Sequence, residues 1–547
     1  MPTTPAPAVI RGASVLDGTG ADMVVSDVRF DAAGLITEIE PSITPTESET
    51  VTDGHGLVLA PGFVDMHSHS DLYTMVPGDG GAPIGDEPKL LQGCTTQVFG
   101  QDGISAAPVH GHDLDDFRRF LAGLDGVIDR DRWTWSSFGE YLAALRRGST
   151  TRAAGLVGHA TVRRYVMGMA NRPPTADELI EMRAVVADAL DQGAAGFSTG
   201  LVYVPAAFAT TAEVTALCEV AASRGKPFFV HVRSESEHVV EATAEVIEVA
   251  ARSGVHLHYS HIKTAGERNW GKAPVMLDQL AAASSSGVRI TADIHPYIAG
   301  SSTAIVLLPP WLQDGTMADI ATRLADPAVR ERVRRQMLQD VDTWDNWYDF
   351  SGGWEGLRVA GASRGELVGS SFADLIRRDG VDDTVSPAGF DVVFDLLASE
   401  AFGVTLISFN NVEENVSRFF AQPYTSVGSD GVVNPGGLPH PRLYGTFTRV
   451  LGRLVRHQGV VSLPEAVRKM TSQAADIVGL GDRLGRVAVG RAADLVLFDP
   501  ERVIDHATYE SPRQPGEGVT AVWVGGRQVA ADGRTLPDIP PAEPDHA

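Results

Sequence analysis

The sequence predicts an α/β protein: a (β/α)8 TIM-type barrel with a small β-sandwich domain formed by both chain ends, and an insertion between late barrel strands. Three observations carry this reading. Between about residues 61 and 480, eight short apolar runs alternate with stretches of helical periodicity. The two ends, about 1–60 and 481–547, instead alternate β-branched residues with Gly and Asp turns. Polar residues gather just past the ends of the apolar runs, where a parallel barrel places its chemistry.

From the beginning, AVIRGASVLDG, DMVVSDVRF, LITEIE and GLVLA read as short antiparallel strands. GRAADLVLFDP and GVTAVWVGGRQVA repeat that texture late in the chain, and antiparallel strands pair without regard to sequence distance, so one sandwich takes both sets. The eight barrel candidates are GLVLAPGFVDMH, TTQVFG, AAGLVGH, AAGFSTG, PFFVHV, VHLHYSH, VRITADI and YTSVGSD. TAEVTALCEVAASRG follows the fourth and EHVVEATAEVIEVAARSG the fifth, each with a helical apolar stripe. The stretch of about 311–377 breaks the rhythm with a charged helical segment and the aromatic WDNWYDFSGGW; it reads as a lid or small subdomain, or equally as surface helices. The Pro-rich tail LPDIPPAEPDHA reads as loose.

Composition narrows the function. With 547 residues, 43% hydrophobic and 21% charged, the chain has ample material for a core. A net charge of -25 repels phosphate backbones and anionic lipid, so neither nucleic acid nor a membrane surface is expected as a partner. Cys94 and Cys218 are too few for a disulfide framework, MPTTPAPAVIRG lacks a signal-peptide pattern, and no apolar run approaches 18 residues. A cytoplasmic location is the simplest expectation.

The stretch Ala60 to Asp71, APGFVDMHSHSD, centres the candidate site. At a strand end, period-two alternation points His67 and His69 to one side, where two neutral imidazoles can share an ion. Alone, an H-x-H is as readily a pair of surface histidines. His231 in FFVHVRSE and His261 in LHYSHIK close two further runs 30 residues apart, one βα unit of a barrel, and Asp430 ends TSVGSDG. Asp102 also falls just past a strand end. The joint pattern is far more specific than any member.

At this point the chain resembles the amidohydrolase superfamily, and within it the N-acyl-D-amino-acid deacylase (D-aminoacylase) group. PGFVDMHSHSD, QGCTTQVFGQDGIS, GAAGFSTGLVYVPAAFATT, HVRSESEHVVEA, YSHIKTAGERNWGK, DIHPYIAGSS, GSDG with HPRLYGTF, and GRAADLVLFDP carry the resemblance over nearly the whole length. It implies a metal-dependent hydrolase of N-acyl amino acids, with zinc as one or two ions, or another divalent transition metal. It implies His67, His69, His231, His261 and Asp430 as ligands, with Asp430 also the catalytic acid–base. Where the group typically has G-N-C-G, with the cysteine on zinc, this chain has Gly100-Gln101-Asp102-Gly103. Asp102 keeps the negative charge with a harder donor, which opens the site to other metals, while Cys94 reads as a small buried hydrophobe. The resemblance places the substrate carboxylate on Lys263, Tyr297 and Arg442, with Tyr203 and Ser302 as weaker contacts. Alternatively, Lys263 and Arg442 neutralise barrel-mouth carboxylates such as Glu235 or Glu237. Rival functions are an aminoacylase for L- or Nε-acyl-lysine substrates, an N-carbamoyl or cyclic amide hydrolase, and a non-catalytic binding protein of the same fold.

Overall fold

A computed structural model describes residues 6–339, 344–537, 539 and 541–542. The described part of the Pro-rich tail is docked and not loose, the Leu536 amide donating to the Val529 carbonyl and the Ala542 amide to the Ser149 carbonyl at 2.9 Å each; the rest of that expectation lies outside the described residues. All eight expected runs form one parallel sheet: β1 (Phe63–Asp65), β2 (Cys94–Phe99), β3 (Arg152–Gly158), β4 (Gly196–Gly200), β5 (Phe228–His231), β6 (Leu257–Tyr259), β7 (Ile290–Ile294) and β8 (Thr425–Val427), in sequential spatial order. Residues of β2, β3, β4 and β5 are buried along their full lengths, as strands covered on both faces must be.

The crossover helices follow from local chemistry. Helix α1 (Ala176–Asp191) starts at Thr175, whose side chain accepts from the Glu178 amide while Glu178 reaches back, a reciprocal cap. Helix α2 (Thr211–Ala222) is capped by Thr210. In α3 (Val239–Ser253), Val239, Ala242, Val246, Val249 and Ala250 recur at three- and four-residue spacing and are buried; Gly254 ends the helix at φ 73°, a left-handed turn that favours glycine. Burying a valine here is worth roughly 1.5–3 kcal/mol, so a charge at Val246 would undo the docking of α3 on the barrel.

The first run proves to be two strands. Val58–Pro61 belongs to a nine-stranded sheet made from both chain ends, and only Phe63–Asp65 enters the barrel. The break falls at Gly62, where a Cβ would lie 2.2 Å from the Thr95 hydroxyl. Val58–Pro61 pairs with Leu495–Phe498 on one side and with Ala8–Val15 on the other. Its alternation serves two cores: Leu59 faces the cluster of Ile10, Phe30 and Trp523, whereas Val58 and Ala60 face the barrel cluster. Phe30 and Trp523 sit four strand steps apart, about 19 Å in a flat sheet. Their ring centroids are nonetheless 6.4 Å apart, so the sheet folds over its own core into the expected sandwich. A buried ion pair ties it to the barrel, Arg152 Nε and Nη2 donating to Asp494 at 2.6 and 3.0 Å.

The insertion is wider than the expected 311–377. It fills the whole β7-to-β8 connection, residues 295–424, and includes an antiparallel sheet of Ala299–Thr303, Thr405–Phe409 and Leu357–Gly361. AGSST has little strand character of its own; pairing with Thr405–Phe409 makes it a strand, a tertiary effect that periodicity does not report. Among the described residues no helix is long and apolar enough to cross a membrane.

Candidate metal and active site

The site lies where the barrel closes. After β1 the chain bends at Met66 and His67, and Ser68–His69 then pairs in parallel with Gly431–Val432 just beyond β8. His67 thus sits in the bend and His69 on a short ribbon, neither on the barrel strand, but they converge as expected, Nε2 to Nε2 at 3.3 Å. Asp430, on the facing side of the ribbon, places Oδ1 3.5 Å from His69 Nε2 and 3.9 Å from His67 Nε2.

Asp102, past β2, lies at the centre. Its Oδ1 is 3.3 Å from His261 Nε2 and 3.6 Å from His67 Nε2; its Oδ2 is 3.6 Å from His69 Nε2 and 3.7 Å from His231 Nδ1. His231, ending β5, and His261, past β6, approach each other at 3.0 Å. All six residues are buried. Three of them, Asp102 (φ 55°), His261 (φ 34°) and Asp430 (φ 51°), have left-handed backbones that side chains other than glycine rarely adopt. Such strain persists only where the surroundings over-determine it, and three of the six non-glycine residues with positive φ among the described residues are candidate ligands.

The donor set fits a metal ion. Nitrogen and oxygen ligands at about 2.0–2.1 Å in a tetrahedron stand roughly 3.4 Å apart, close to most of these separations. Asp102 Oδ1 is buried with no hydrogen-bond partner among the described residues, a cost that coordination would remove. Both His67, His69 and Asp430 and His67, Asp102 and His261 form compact three-donor groups, which accommodates one ion or two.

A second layer orients the donors. His69 Nδ1 faces Asp125 at 3.1 Å. Asp293, the penultimate residue of β7, accepts from the His261 amide at 2.9 Å and lies 2.9 Å from His258 Nε2. Glu235 Oε1 is 3.0 Å from His261 Nδ1 and accepts from Lys263 at 2.5 Å. Electrostatics follow. Burial pushes the Asp102 carboxyl up, but His261 and His67 outweigh it and hold it well below the usual carboxylate range. Burial likewise pushes His69 down, yet Asp102 and Asp125 hold it well above its ordinary value. Burial and Lys263 oppose the His261 charge, but Asp102 and Glu235 push it up to about 10. Burial raises Asp430, and Arg442 with the neighbouring imidazoles brings it below its ordinary value.

The substrate-contact candidates divide. Tyr203 and Lys263 line the cavity beside the histidines, with Trp347, Asn410 and Ser301 from the insertion. The Tyr203 hydroxyl is 3.2 Å from Ser302 Oγ. Lys263 is already paired with Glu235, as the counter-ion alternative held, and Arg442 Nη1 is 2.8 Å from Asp430 Oδ2. Tyr297 stands behind this layer, its hydroxyl 3.5 Å from the Pro441 carbonyl and its ring 4.7 Å from the Arg449 guanidinium. Sequence reasoning missed Asp125, Asp293 and the insertion residues. Asp345 accepts from Ser234 and Ser236 hydroxyls at 2.6 Å each and from the Glu235 amide at 2.7 Å, bracing the loop after β5. Only Asp293, a carboxylate at the end of VRITADI, carried a signal that strand-end reasoning could have used.

Known proteins are similar to this chain in sequence and fold. The amidohydrolase family model matches residues 50–335 and 424–530, leaving out most of the insertion. N-acyl-D-aspartate deacylase of Alcaligenes xylosoxydans xylosoxydans is 34% identical over 97% of this chain and 93% of its own. D-aminoacylase of the same organism is 33% identical over 95% and 94%. The crystal structure of N-acyl-D-glutamate deacylase from Bordetella bronchiseptica, complexed with zinc and a phosphonate mimic of the tetrahedral intermediate, superposes with a TM-score of 0.77 at 30% identity, covering 98% of this chain and 100% of that one. A match over most of the length, extending through both the barrel and the sheet from the chain ends, places this chain in the amidohydrolase family.

Proposed function

We propose that the protein is a metal-dependent hydrolase that cleaves the amide bond of N-acyl-D-amino acids to a carboxylate and a free D-amino acid. The carrying observation is the convergence of four histidines with Asp102 and Asp430 at one end of the barrel, Asp430 lying against Arg442. The names of the relatives support the D-configured substrate class. His67, His69, Asp102, His231, His261 and Asp430 would hold the metal, zinc in one or two ions or another divalent transition metal. When bound, the metal supplies Lewis acidity toward the acyl carbonyl and toward water.

The chain's own residues do the rest. Asp430 takes a proton at its carboxylate from the attacking water and delivers it to the departing nitrogen, acting as general base and then as general acid. Its lowered pKa keeps it ionised at neutral pH, as the first role requires. Arg442 holds the substrate carboxylate; a guanidinium can do so through two hydrogen bonds. Lys263 on the cavity wall supplies a second cation, sharing its bond to Glu235. Tyr203 and Ser302 shape the pocket, and Tyr297 acts from behind by packing on the segment that carries Arg442. Trp347 and Asn410 reach the cavity from the insertion and exclude water.

The test is amino-acid release by purified, zinc-supplied protein from a panel of N-acetyl-D- and N-acetyl-L-amino acids and Nε-acetyl-lysine. D-substrates should be turned over and the L-series should not. Preference for the L-series or for Nε-acetyl-lysine would replace this reading.

A further inference from the structure

We propose that Lys89, acting through Asp65 and Ser429, is a positioning residue for Asp430, clasping the barrel shut between its last and first strands; this rests on Asp430 being the acid–base. The hydrogen-bonded strand order runs from β8 round to β1, and among the described residues no ladder joins those two. The closure is made by other means. The Met66 amide donates to the Val427 carbonyl at 3.2 Å, the Asp430 amide to the His67 carbonyl at 2.7 Å, and the Ser68–His69 ribbon pairs with Gly431–Val432.

Beneath that ribbon the Asp65 carboxylate gathers donors from both sides of the gap. Its Oδ1 accepts from the Ser429 amide at 2.7 Å and from the His67 amide at 3.2 Å. Its Oδ2 accepts from Ser429 Oγ at 2.6 Å and from Lys89 Nζ at 2.8 Å. Lys89 also donates to Ser429 Oγ, which in turn accepts from the Gly431 amide at 3.1 Å. Both residues flanking Asp430 are therefore held in one network. Lys89 packs so closely that a Cβ on Gly431 would lie 2.7 Å from Nζ.

Lys89 and Asp65 are wholly buried, and a charge placed there is tolerable only because it is paired. A well-packed apolar side chain could fill the same space without that cost. What the ion pair provides is direction: it fixes where the strained Asp430 backbone presents its carboxylate to His67 and His69. Release of the clasp would let the Asp430 carboxylate shift, while Arg442 stays anchored on its own helix, Arg442–Arg449, and to the Ser301 carbonyl.

The experiment compares zinc-loaded Lys89→Met, Lys89→Met/Asp65→Asn, Ser429→Ala and Asp430→Asn with wild type. The readouts are kcat, KM, metal content and melting temperature. Lys89→Met should lose on the order of 10²-fold in kcat, the scale of a misplaced catalytic group, with KM within about threefold and metal retained. The double variant removes both charges, so it should melt near wild type and still lack turnover. Ser429→Ala keeps both charges and should lose about tenfold in kcat at unchanged KM. Recovery of kcat in the double variant would mean that Lys89 only balances charge, and would overturn the proposal. So would wild-type kcat in Ser429→Ala together with metal loss in Lys89→Met. Wild-type turnover in Asp430→Asn would instead remove the acid–base reading, and the proposal with it.

Discussion

Arg442 lies wholly buried behind Asp430, and truncating it to alanine should separate substrate binding from acid–base chemistry. Its Nη1 is 2.8 Å from Asp430 Oδ2 as an ion pair and its Nη2 donates to the Ser301 carbonyl at 3.4 Å, while among the described residues neither Nε nor Nη1 has a hydrogen-bond partner. The guanidinium therefore has donor capacity left for a ligand carboxylate. Loss of such a charge-assisted pair costs about 1.5–3 kcal/mol, or roughly 10- to 150-fold in kcat/KM at 1.36 kcal/mol per decade. N-acetyl-D-leucine should suffer this loss in Arg442→Ala, and N-acetyl-D-leucinamide, which has no carboxylate, should be spared most of it. A second effect strikes both substrates. Arg442 helps to hold the Asp430 carboxyl below its ordinary value, so its removal raises that pKa. The base must be ionised, so the acid limb of kcat/KM should move to higher pH. Steady-state kinetics on both substrates between about pH 5 and 9 reads the two effects together. A melting curve must accompany them, because leaving Asp430 buried without its partner can cost about 3–5 kcal/mol of stability. Equal losses on acid and amide, with an unmoved acid limb, would show that Arg442 braces the scaffold and touches neither substrate nor base.

Further predictions concern the other donors and the frame. Asp430→Asn should retain its metal and lose roughly 10²- to 10⁴-fold in kcat; near-normal turnover would assign the base elsewhere. Asp102→Asn should weaken metal binding severely, whereas Asp102→Cys should keep a metal and shift preference toward zinc; a titration in which neither variant differs from wild type would remove Asp102 from the ligand set. Chelation should abolish activity and added zinc restore it, and near pH 7 metal uptake should release protons from both His69 and His261, measurable by calorimetry in buffers of different ionisation enthalpy. With His261 pushed up to about 10, its contribution to the stability of the chelated protein is complete below about pH 6.5 and lost as pH rises through about 10. Arg152→Met should cost about 3–5 kcal/mol in urea unfolding by stranding Asp494, and a cost under about 1 kcal/mol would mean that solvent reaches the pair.

The parts of this protein that were legible in the sequence are those with a period or a motif. Phe228–His231 and Leu257–Tyr259 announce themselves as apolar runs, and the histidines at or just past their ends follow from barrel geometry. The metal-donor candidates are all brought together, including Asp102, whose residue type departs from its group. What escaped was set by packing. Asp125 lies in a loop with no pattern around it, yet the fold brings it against His69 across 56 residues. Lys89 occurs in an ordinary EPKL helix turn, and only the closure of the barrel turns it into a buried cation. Tyr297 was chosen by its motif alone, and the motif does not report the approach of Pro441 and Arg449 that places its hydroxyl behind the cavity wall.

The division of the first run between two sheets constrains the order in which the molecule can be completed. Val58–Pro61 is flanked in the finished sheet by Leu495–Phe498, more than 430 positions later, so during synthesis this segment waits with one edge unpaired until nearly the whole chain has emerged. The Ser68–His69 ribbon strand waits similarly for Gly431–Val432. The middle strands, which pair with close neighbours in sequence, can assemble early, but the catalytic end cannot. A nascent or truncated chain ending before Asp430 would thus hold most of a barrel while lacking one metal donor and the strand that pairs with Ser68–His69, which keeps hydrolysis silent until that late part of the chain has been made.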